Sequence, residues 1–132
     1  MAKVKFDPEA PVIVIYVTIK GRVKETARMA LDTGATYIMI PWDIAGALGY
    51  EPERSKERVD MVTASGVERA LLITLESVSL GGEEVKRVQA LVHDLPPRSY
   101  VDGLLGLSFL RNFGLSLDFK EGTLELVPYS LR

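Results

Sequence analysis

The sequence predicts an all-β protein, a barrel or sandwich of many short strands with two short helices. Apolar and β-branched runs recur at close spacing along the 132 residues. Glycines separate most of these runs, as they do at tight turns. A chain of this length holds one domain, so we expect a single domain over residues 1–132.

The first part of the chain predicts three strands and a helix. The stretch "PVIVIYVTIKGRVKETARMALD" reads as two strands joined at Lys20-Gly21, where glycine accepts a positive φ. "YIMI" reads as a short apolar strand, and "PWDIAGALGY" as a short helix. Pro41 suits the first turn of that helix, Asp43 favours its N-terminal dipole, and Gly49 can end it.

The remainder predicts three hairpins and a second short helix. The first hairpin, in "RVDMVTASGVERALLITLESVSL", has its tip near residues 64–66. The second turns at Gly81-Gly82 and the third near Glu121-Gly122. Between these two hairpins, "LLGLSFLRNFG" reads as the end of an apolar strand, a glycine and a short helix.

Two segments of the chain share one order of elements: strand, glycine turn, strand, loop, apolar strand, helix, glycine. They are "VTIKGRVKETARMALDTGATYIMIPWDIAGALG" and "VSLGGEEVKRVQALVHDLPPRSYVDGLLGLSFLRNFG". The match lies in the pattern more than in residue identity. It indicates two related halves, of which only the first carries Asp-Thr-Gly.

Composition excludes several classes of function. The formal net charge is −2, so no basic field would recruit nucleic acid or an anionic membrane. The chain has no Cys, which excludes disulfides, thiolate metal sites and a cysteine nucleophile. His93 is the single His, which excludes a multi-His zinc site within one chain. The longest apolar run, "PVIVIYV", is too short to span a bilayer, so we expect a cytoplasmic location. We also expect no metal and no cofactor.

The stretch "LDTGAT", Leu31 to Thr36, places one acid between an apolar run and a set of small residues. Asp32 follows an apolar strand and faces loss of hydration, which makes it a candidate for acid–base chemistry. Gly34 lets the backbone approach closely, and Ala35 and Thr36 leave a substrate cleft beside the acid. Asp-Thr-Gly is also a good turn sequence, so an ordinary turn is the alternative that this motif leaves open.

A second motif, "DGLLGLSFL", lies further along the chain. Together with "LDTGAT" and with the hairpin and helix between them, it resembles the retropepsin-like aspartic protease family over about residues 12–127. The resemblance implies that an apolar stretch supports the Asp-Thr-Gly loop and that a flap hairpin covers the cleft. The residues that match the supporting stretch are Leu104, Leu105 and Gly106, and those that match the flap are Thr63, Ala64, Ser65 and Gly66.

The resemblance implies a closed acid-protease barrel subunit, with one or two short helices, that forms a C2 homodimer. Each subunit would contribute one Asp32, and Thr33 and Gly34 would support the loop and contact the partner. The implied function is an aspartic endopeptidase that hydrolyses an extended peptide with water activated by two Asp carboxylates, without metal or cofactor. The alternative is a catalytically inactive dimerisation or peptide-binding module of the same fold.

Further predictions concern the C-terminal strand, Asp102, the His93-Asp94 pair and the substrate preference. The family pairs chain termini between subunits, so "TLELVPY" is expected to contribute to an intersubunit sheet, with pairing limited by Pro128. Asp102 is a disfavoured second acid, because Asp102-Gly103 lacks the hydroxyl residue of the motif. His93 and Asp94 are not expected to act as a catalytic pair, because adjacent side chains of an extended segment point to opposite faces. Viral members commonly have Asp at Thr36 and Arg at Leu107, so a viral-type substrate preference does not carry over.

Overall fold

The computed structural model describes residues 1–129, apart from the side chain of Thr63. Residues 130–132 of the predicted domain therefore lie outside the described residues. The strands are β1 (Ala2–Lys5), β2 (Val14–Lys20), β3 (Lys24–Leu31), β4 (Ile38–Ile40), β5 (Arg58–Thr63), β6 (Gly66–Leu80), β7 (Glu83–Val92), β8 (Gly103–Leu105), β9 (Phe113–Asp118) and β10 (Thr123–Pro128). The helices are α1 (Trp42–Ala47) and α2 (Leu107–Leu110), with a 3-10 turn at Pro52–Arg54.

Six of these strands form a closed barrel. Their order is β2-β3-β8-β4-β7-β6, and β6 pairs again with β2. The closing contact pairs Thr18–Lys20 of β2 with Ser77–Ser79 of β6. The contacts of β3 with β8 and of β4 with β7 are parallel, and the other barrel contacts are antiparallel. The predicted all-β closed barrel with short helices is therefore confirmed.

The barrel is built from two halves with equivalent connections. The first half is β2, β3, β4 and α1, and the second is β6, β7, β8 and α2. The first strands of the two halves pair with each other, as do the third strands. The third strand of each half also runs parallel to the second strand of the other. The order of elements shared by the two sequence segments therefore corresponds to an approximate two-fold arrangement of the barrel.

Alternation along the strands explains which side chains form the core. In β2, Ile15, Val17 and Ile19 are fully buried, whereas Tyr16 between them is 65% exposed. The interior also contains Phe109 of α2, whose ring packs 5.1 Å from that of Phe113. Burying each such side chain contributes about 1.5–3 kcal/mol to folding. The apolar runs of the sequence therefore hold the barrel walls against α2.

Glycine turns separate the strands where the sequence indicates them, but at Gly21 the reason for glycine differs from the predicted one. Gly81 and Gly82 adopt φ values of 60° and 90° between β6 and β7, a conformation that favours glycine. Gly21, between β2 and β3, does not have a positive φ, so the predicted reason for glycine there is wrong. A Cβ at Gly21 would collide with the carbonyl oxygen of Leu48, so the close approach of α1's C-terminus requires glycine.

β5 extends the barrel sheet by pairing with β6, and the other three strands form a separate sheet in the order β1-β10-β9. β10 lies at its centre, with Thr123–Leu126 paired to β1 and the whole strand paired to β9. Within the subunit, both edges of Thr123–Leu126 are occupied, one by β1 and the other by β9. The contribution of "TLELVPY" to an intersubunit sheet stays a prediction. The sequence pattern did not indicate β1, which fills one of those edges.

Tyr50 supports the closing contact between β2 and β6. Its hydroxyl donates a hydrogen bond to the carbonyl oxygen of Lys20 (2.8 Å) and accepts one from the backbone N–H of Glu76 (2.6 Å). Burial raises the pKa of the Tyr50 hydroxyl above its ordinary value, so it stays protonated at neutral pH. Within residues 1–129, no helix is long and apolar enough to cross a membrane.

Candidate active site

The loop between β3 and β4 positions Asp32 immediately after the end of β3. Its backbone N–H donates to the carbonyl oxygen of Leu105 at 3.0 Å, which extends the parallel contact between β3 and β8. Oδ1 of Asp32 accepts a hydrogen bond from the N–H of Gly34 at 2.9 Å. The N–H of Ala35 donates to the carbonyl oxygen of Asp32 at 3.2 Å. The half-buried carboxylate is therefore held within a tight turn of its own loop.

The stretch Leu104–Gly106 and the start of α2 lie directly against this loop. The N–H of Leu107 donates to the carbonyl oxygen of Ala35 at 2.8 Å, and that of Ser108 to Thr36 at 2.9 Å. A Cβ at Gly106 would collide with the carbonyl oxygen of Tyr37 and lie 2.6 Å from that of Ala35. Glycine is therefore required where the helix meets the loop.

The hydroxyl of Ser108 connects the helix to two strands. It accepts a hydrogen bond from the N–H of Ile38, the first residue of β4, at 2.9 Å. It donates to the carbonyl oxygen of Gln89 in β7 at 2.8 Å. Because Ile38 directly follows the Asp32 loop, these bonds fix the C-terminal end of the loop, and the bond to Leu105 fixes its N-terminal end. The sequence reasoning did not identify this role for Ser108.

β5 and residues 66–71 of β6 form a hairpin, called the flap hairpin here, with Ala64 and Ser65 in its turn. Gly66 follows the turn with a φ of +129°. Val62 and Val67 lie opposite each other on the two strands and are 88% and 66% exposed. An exposed apolar pair at the end of a hairpin is a surface that contact with substrate or another chain would bury.

A cleft of about 510 Å³ lies between the Asp32 loop and the flap hairpin. The predicted residues that line it are Asp32, Gly34, Ala35, Thr36 and Leu104. Its other lining residues are Tyr37, Met39, Val59, Asp60, Met61, Val62 and Leu91. The sequence reasoning missed this second set, although period-two alternation in β5 places Val59 and Met61 on one face. The cleft is therefore lined mostly by apolar side chains, with Asp32 on the side of the loop and Asp60 on the side of the flap hairpin.

Some of the predicted site residues lie beside the cleft and do not line it. Thr33 is exposed, and within the described part of the chain its hydroxyl makes no hydrogen bond. The hairpin turn at Ala64 and Ser65 is also absent from the lining, which comes from β5 instead. Leu105 and Gly106 are buried beneath the loop. The structure thus separates the residues at the cleft surface from those that support it.

The other carboxylates do not combine with Asp32. Asp60 lines the cleft from β5, but its Oδ1 accepts a hydrogen bond from Nε of Arg69 at 3.2 Å. Asp102 lies in a groove apart from the cleft, where its Oδ2 accepts a hydrogen bond from the N–H of Arg28 at 2.8 Å. Asp32 is therefore the cleft carboxylate that is not paired with a basic side chain in the described residues.

His93 and Asp94 have different partners, as expected of adjacent side chains. Nδ1 of His93 contacts the backbone carbonyl oxygen of Asp94 at 2.8 Å, and Nε2 lies 2.8 Å from Oε2 of Glu68. The carboxylate of Asp94 instead accepts a hydrogen bond from the N–H of Trp42 at 2.9 Å. The two side chains therefore do not form an acid–imidazole pair.

Comparison with known proteins identifies a family and related solved structures. The family model described as gag-polyprotein putative aspartyl protease matches residues 15–112. The fold is similar to the crystal structure of a retropepsin-like aspartic protease from Rickettsia conorii, with a TM-score of 0.71 and 28% sequence identity. That match covers 94% of this chain and 87% of the other. No curated protein sequence matches the chain.

Proposed function

The chain belongs to the gag-polyprotein putative aspartyl protease family, and from this premise we propose that it is a homodimeric aspartic endopeptidase with Asp32 as its catalytic residue. The observation that carries the proposal is the placement of Asp32 on the floor of an apolar cleft. Its loop is held by backbone hydrogen bonds from β8 and α2. A reactive group held by rigid elements is what catalysis requires.

The proposed chemistry needs two carboxylates. When two carboxyl groups share a site they cannot both ionise, so one is a carboxylate and the other keeps its proton, as in aspartic protease dyads generally. The ionised Asp32 removes a proton from water, which attacks the scissile carbonyl carbon. The protonated Asp32 donates a hydrogen bond to the carbonyl oxygen. The proton taken from water then passes from the dyad to the amide nitrogen as the C–N bond breaks, and no covalent intermediate with the enzyme forms.

The second carboxylate comes from a second copy of the chain. A C2 axis beside the loop brings the same residue from both subunits together, so one Asp-Thr-Gly per chain is sufficient. Thr33 supports this arrangement, because its side chain is exposed beside Asp32 and its hydroxyl has no partner within residues 1–129. Gly34 adds no side chain that would keep the two loops apart.

The proposed substrate is an extended peptide that lies between the Asp32 loop and the flap hairpin. Its main chain would pair with neighbouring backbone as an added strand. Its apolar side chains would contact Tyr37, Met39, Val59 and Met61, which line the cleft. The flap hairpin would exclude water from the reacting groups, as lids do in other enzymes.

The second candidate is a peptide-binding or dimerisation module without catalysis. It is favoured by one observation: a single chain provides the apolar cleft but only one carboxylate suited to a dyad. A dimer whose two copies of Asp32 lie too far apart would bind peptide and leave it intact.

The test is cleavage of a peptide library from acid to neutral pH by the wild type and by Asp32→Asn. Asparagine keeps the size of the side chain and an acceptor for Gly34, so folding and dimerisation should persist, as circular dichroism and sedimentation would report. We expect kcat to fall by about 10³-fold or more, since the base and the shared proton are lost. Cleavage that survives unchanged in the variant overturns the mechanism, and a wild-type dimer that binds but cleaves no peptide supports the second candidate.

A further inference from the structure

One ion pair joins the flap hairpin to the body of the barrel. Glu68 lies in the flap hairpin, and His93 directly follows β7, which pairs with residues 71–80 of β6. Oε2 of Glu68 and Nε2 of His93 are 2.8 Å apart. The side chains are 48% and 29% exposed, so the contact is partly screened from water. His93 is the single His of the chain.

The geometry of the imidazole favours a proton in this contact. Nδ1 of His93 lies 2.8 Å from the backbone carbonyl oxygen of Asp94, and a carbonyl oxygen only accepts, so Nδ1 must donate. A neutral ring would then present the lone pair of Nε2 to the Glu68 carboxylate at 2.8 Å, which is repulsive. The contact therefore requires a second proton between Nε2 and Oε2.

Glu68 is placed where it can control the cleft. It lies directly opposite Met61 in the hairpin register, so the two side chains share one face. Met61 lines the cleft that contains Asp32. Ala70, two residues along the same face, is buried with Met39 and Leu91 against the barrel. The hairpin is thus attached to the barrel at two points: at this small apolar cluster and, nearer the hairpin turn, at the ion pair.

We propose that Glu68 and His93 form a proton-dependent latch that holds the flap hairpin over the cleft and releases it when the shared proton is lost. Imidazole is the side chain that normally exchanges its proton between pH 5 and 8. The latch is therefore closed while the shared proton is present and open once it has been lost. Both residues are positioning residues, because neither lines the cleft.

The charges around the ring support this assignment. The Asp94 carboxylate is engaged by the N–H of Trp42, and the backbone N–H of His93 donates to the carbonyl oxygen of Ile40 in β4. Within the described residues, Glu68 is the one charged side chain within ion-pair distance of the ring. The other ion pair of the hairpin, Asp60 with Arg69, joins β5 to β6 and does not reach the barrel.

The experiment measures amide hydrogen exchange across the flap hairpin at pH 5 and pH 8, corrected for the intrinsic pH dependence of exchange. In the wild type we expect protection to be about two- to fivefold greater at pH 5, the range for a partly exposed ion pair. His93→Phe keeps a ring but no nitrogen, so its hairpin should be poorly protected at both values. His93→Lys keeps a positive charge throughout, so its hairpin should be protected at both.

Arg69→Gln is the matched control, because it breaks the ion pair that lies within the hairpin. It should leave the difference between pH 5 and pH 8 as in the wild type. Equal wild-type protection at the two values overturns the latch, and so does a pH 8 loss that His93→Lys fails to prevent. Loss of the pH difference in Arg69→Gln also contradicts it.

The latch rests on the proposed function only in that the hairpin is interpreted as a flap. Exchange is measured without substrate and can be repeated in Asp32→Asn, so it does not depend on catalysis. A proton-dependent hairpin in a protein that cleaves no peptide would support the latch and overturn the protease. Peptide cleavage by a protein whose hairpin is equally protected at both pH values would support the protease and overturn the latch.

Discussion

The two loops that follow the second strand of each half begin in the same way and then differ. Asp32 follows β3 and donates its N–H to Leu105, whereas His93 follows β7 and donates its N–H to Ile40, both at 3.0 Å. Residues 32–37 then lead directly to β4, but residues 93–102 make a longer excursion before β8. The same strand ends thus support two loops, of which only the shorter contains an acid in the cleft.

The contacts of the helix that ends each half explain this difference between the two loops. The first residue of α2, Leu107, donates its N–H to the backbone oxygen of Ala35, whereas the first residue of α1, Trp42, donates to the side chain of Asp94. Gly106 precedes α2 and Pro41 precedes α1. A loop bonded through its backbone lies closer and is held more rigidly than a loop bonded through one side chain. The Asp32 loop is therefore the one suited to hold a catalytic group.

The largest effect is expected from Gly106→Ala, which removes the close contact of α2 with the Asp32 loop. The new Cβ would meet the backbone of Tyr37 and Ala35, which cannot move without displacing Asp32. We expect a loss of about 3 kcal/mol in the free energy of unfolding, measured by urea denaturation, and a loss of peptide cleavage.

Gly46→Ala in α1 is the matched control for that substitution. No atom lies within 4 Å of a Cβ at Gly46, so alanine should raise the free energy of unfolding by about 0.5 kcal/mol through its helix propensity. A Gly106→Ala variant as stable and active as the wild type would show that close backbone contact is not what distinguishes the Asp32 loop.

The local features of both halves could be predicted from the sequence. Strand alternation and turns such as Gly81-Gly82 are set by neighbouring residues, and the predicted hairpins agree with the structure. Asp32 was identified because its motif is continuous. Its setting between β8 and α2 followed from the order of two motifs, through resemblance to a family and not through spacing alone.

The remaining features depend on contacts between distant parts of the chain. β1 is short and lies next to β10 because the fold brings the two ends of the chain together, which no local pattern reports. The ion pair of Glu68 with His93 also joins elements that are far apart in sequence. The opposite directions of adjacent side chains could exclude Asp94 as the partner of His93, but they could not identify Glu68. Gly21 shows that a correct turn can be predicted for a wrong reason.

A smaller effect is expected from Ser108→Ala, which removes the hydrogen bonds that hold the C-terminal end of the Asp32 loop. The hydroxyl accepts from Ile38 and donates to Gln89, and both partners would lose their hydrogen bond to it. We expect about 2 kcal/mol of destabilisation by urea denaturation, together with a lower kcat.

The equivalent residue of α1 is Asp43, whose Oδ1, among the described residues, accepts a hydrogen bond from the N–H of Ile44 in its own helix and from no other group. Asp43→Ala should therefore cost less than about 0.5 kcal/mol and leave kcat unchanged. Equal costs for Ser108→Ala and Asp43→Ala would mean that both helices hold their loops alike, which would contradict the comparison.

A third effect, smaller again, is expected from Asp94→Ala in the second loop. The substitution removes the acceptor for the N–H of Trp42 at the start of α1, where the N-cap residue Pro41 offers no side-chain hydrogen bond. We expect a loss of about 1 kcal/mol in the free energy of unfolding, the usual cost of losing a helix cap, with kcat/KM unchanged. A cost above that of Ser108→Ala would show that the second loop is the more firmly held of the two.

The smallest effect is expected from Asp102→Asn, and it asks most directly whether one loop or both supply acid. An amide oxygen can still accept from the N–H of Arg28, and the backbone N–H of Asp102 still donates to Arg28, so stability should change by less than about 0.5 kcal/mol. Because Asp102 lies outside the cleft of Asp32, kcat/KM in the peptide assay should stay within about twofold of the wild type. A loss as large as that of Asp32→Asn would place the second acid within one chain and remove the need for a partner subunit. An unchanged rate would exclude Asp102 as the second acid and agree with a second carboxyl group from Asp32 of another copy.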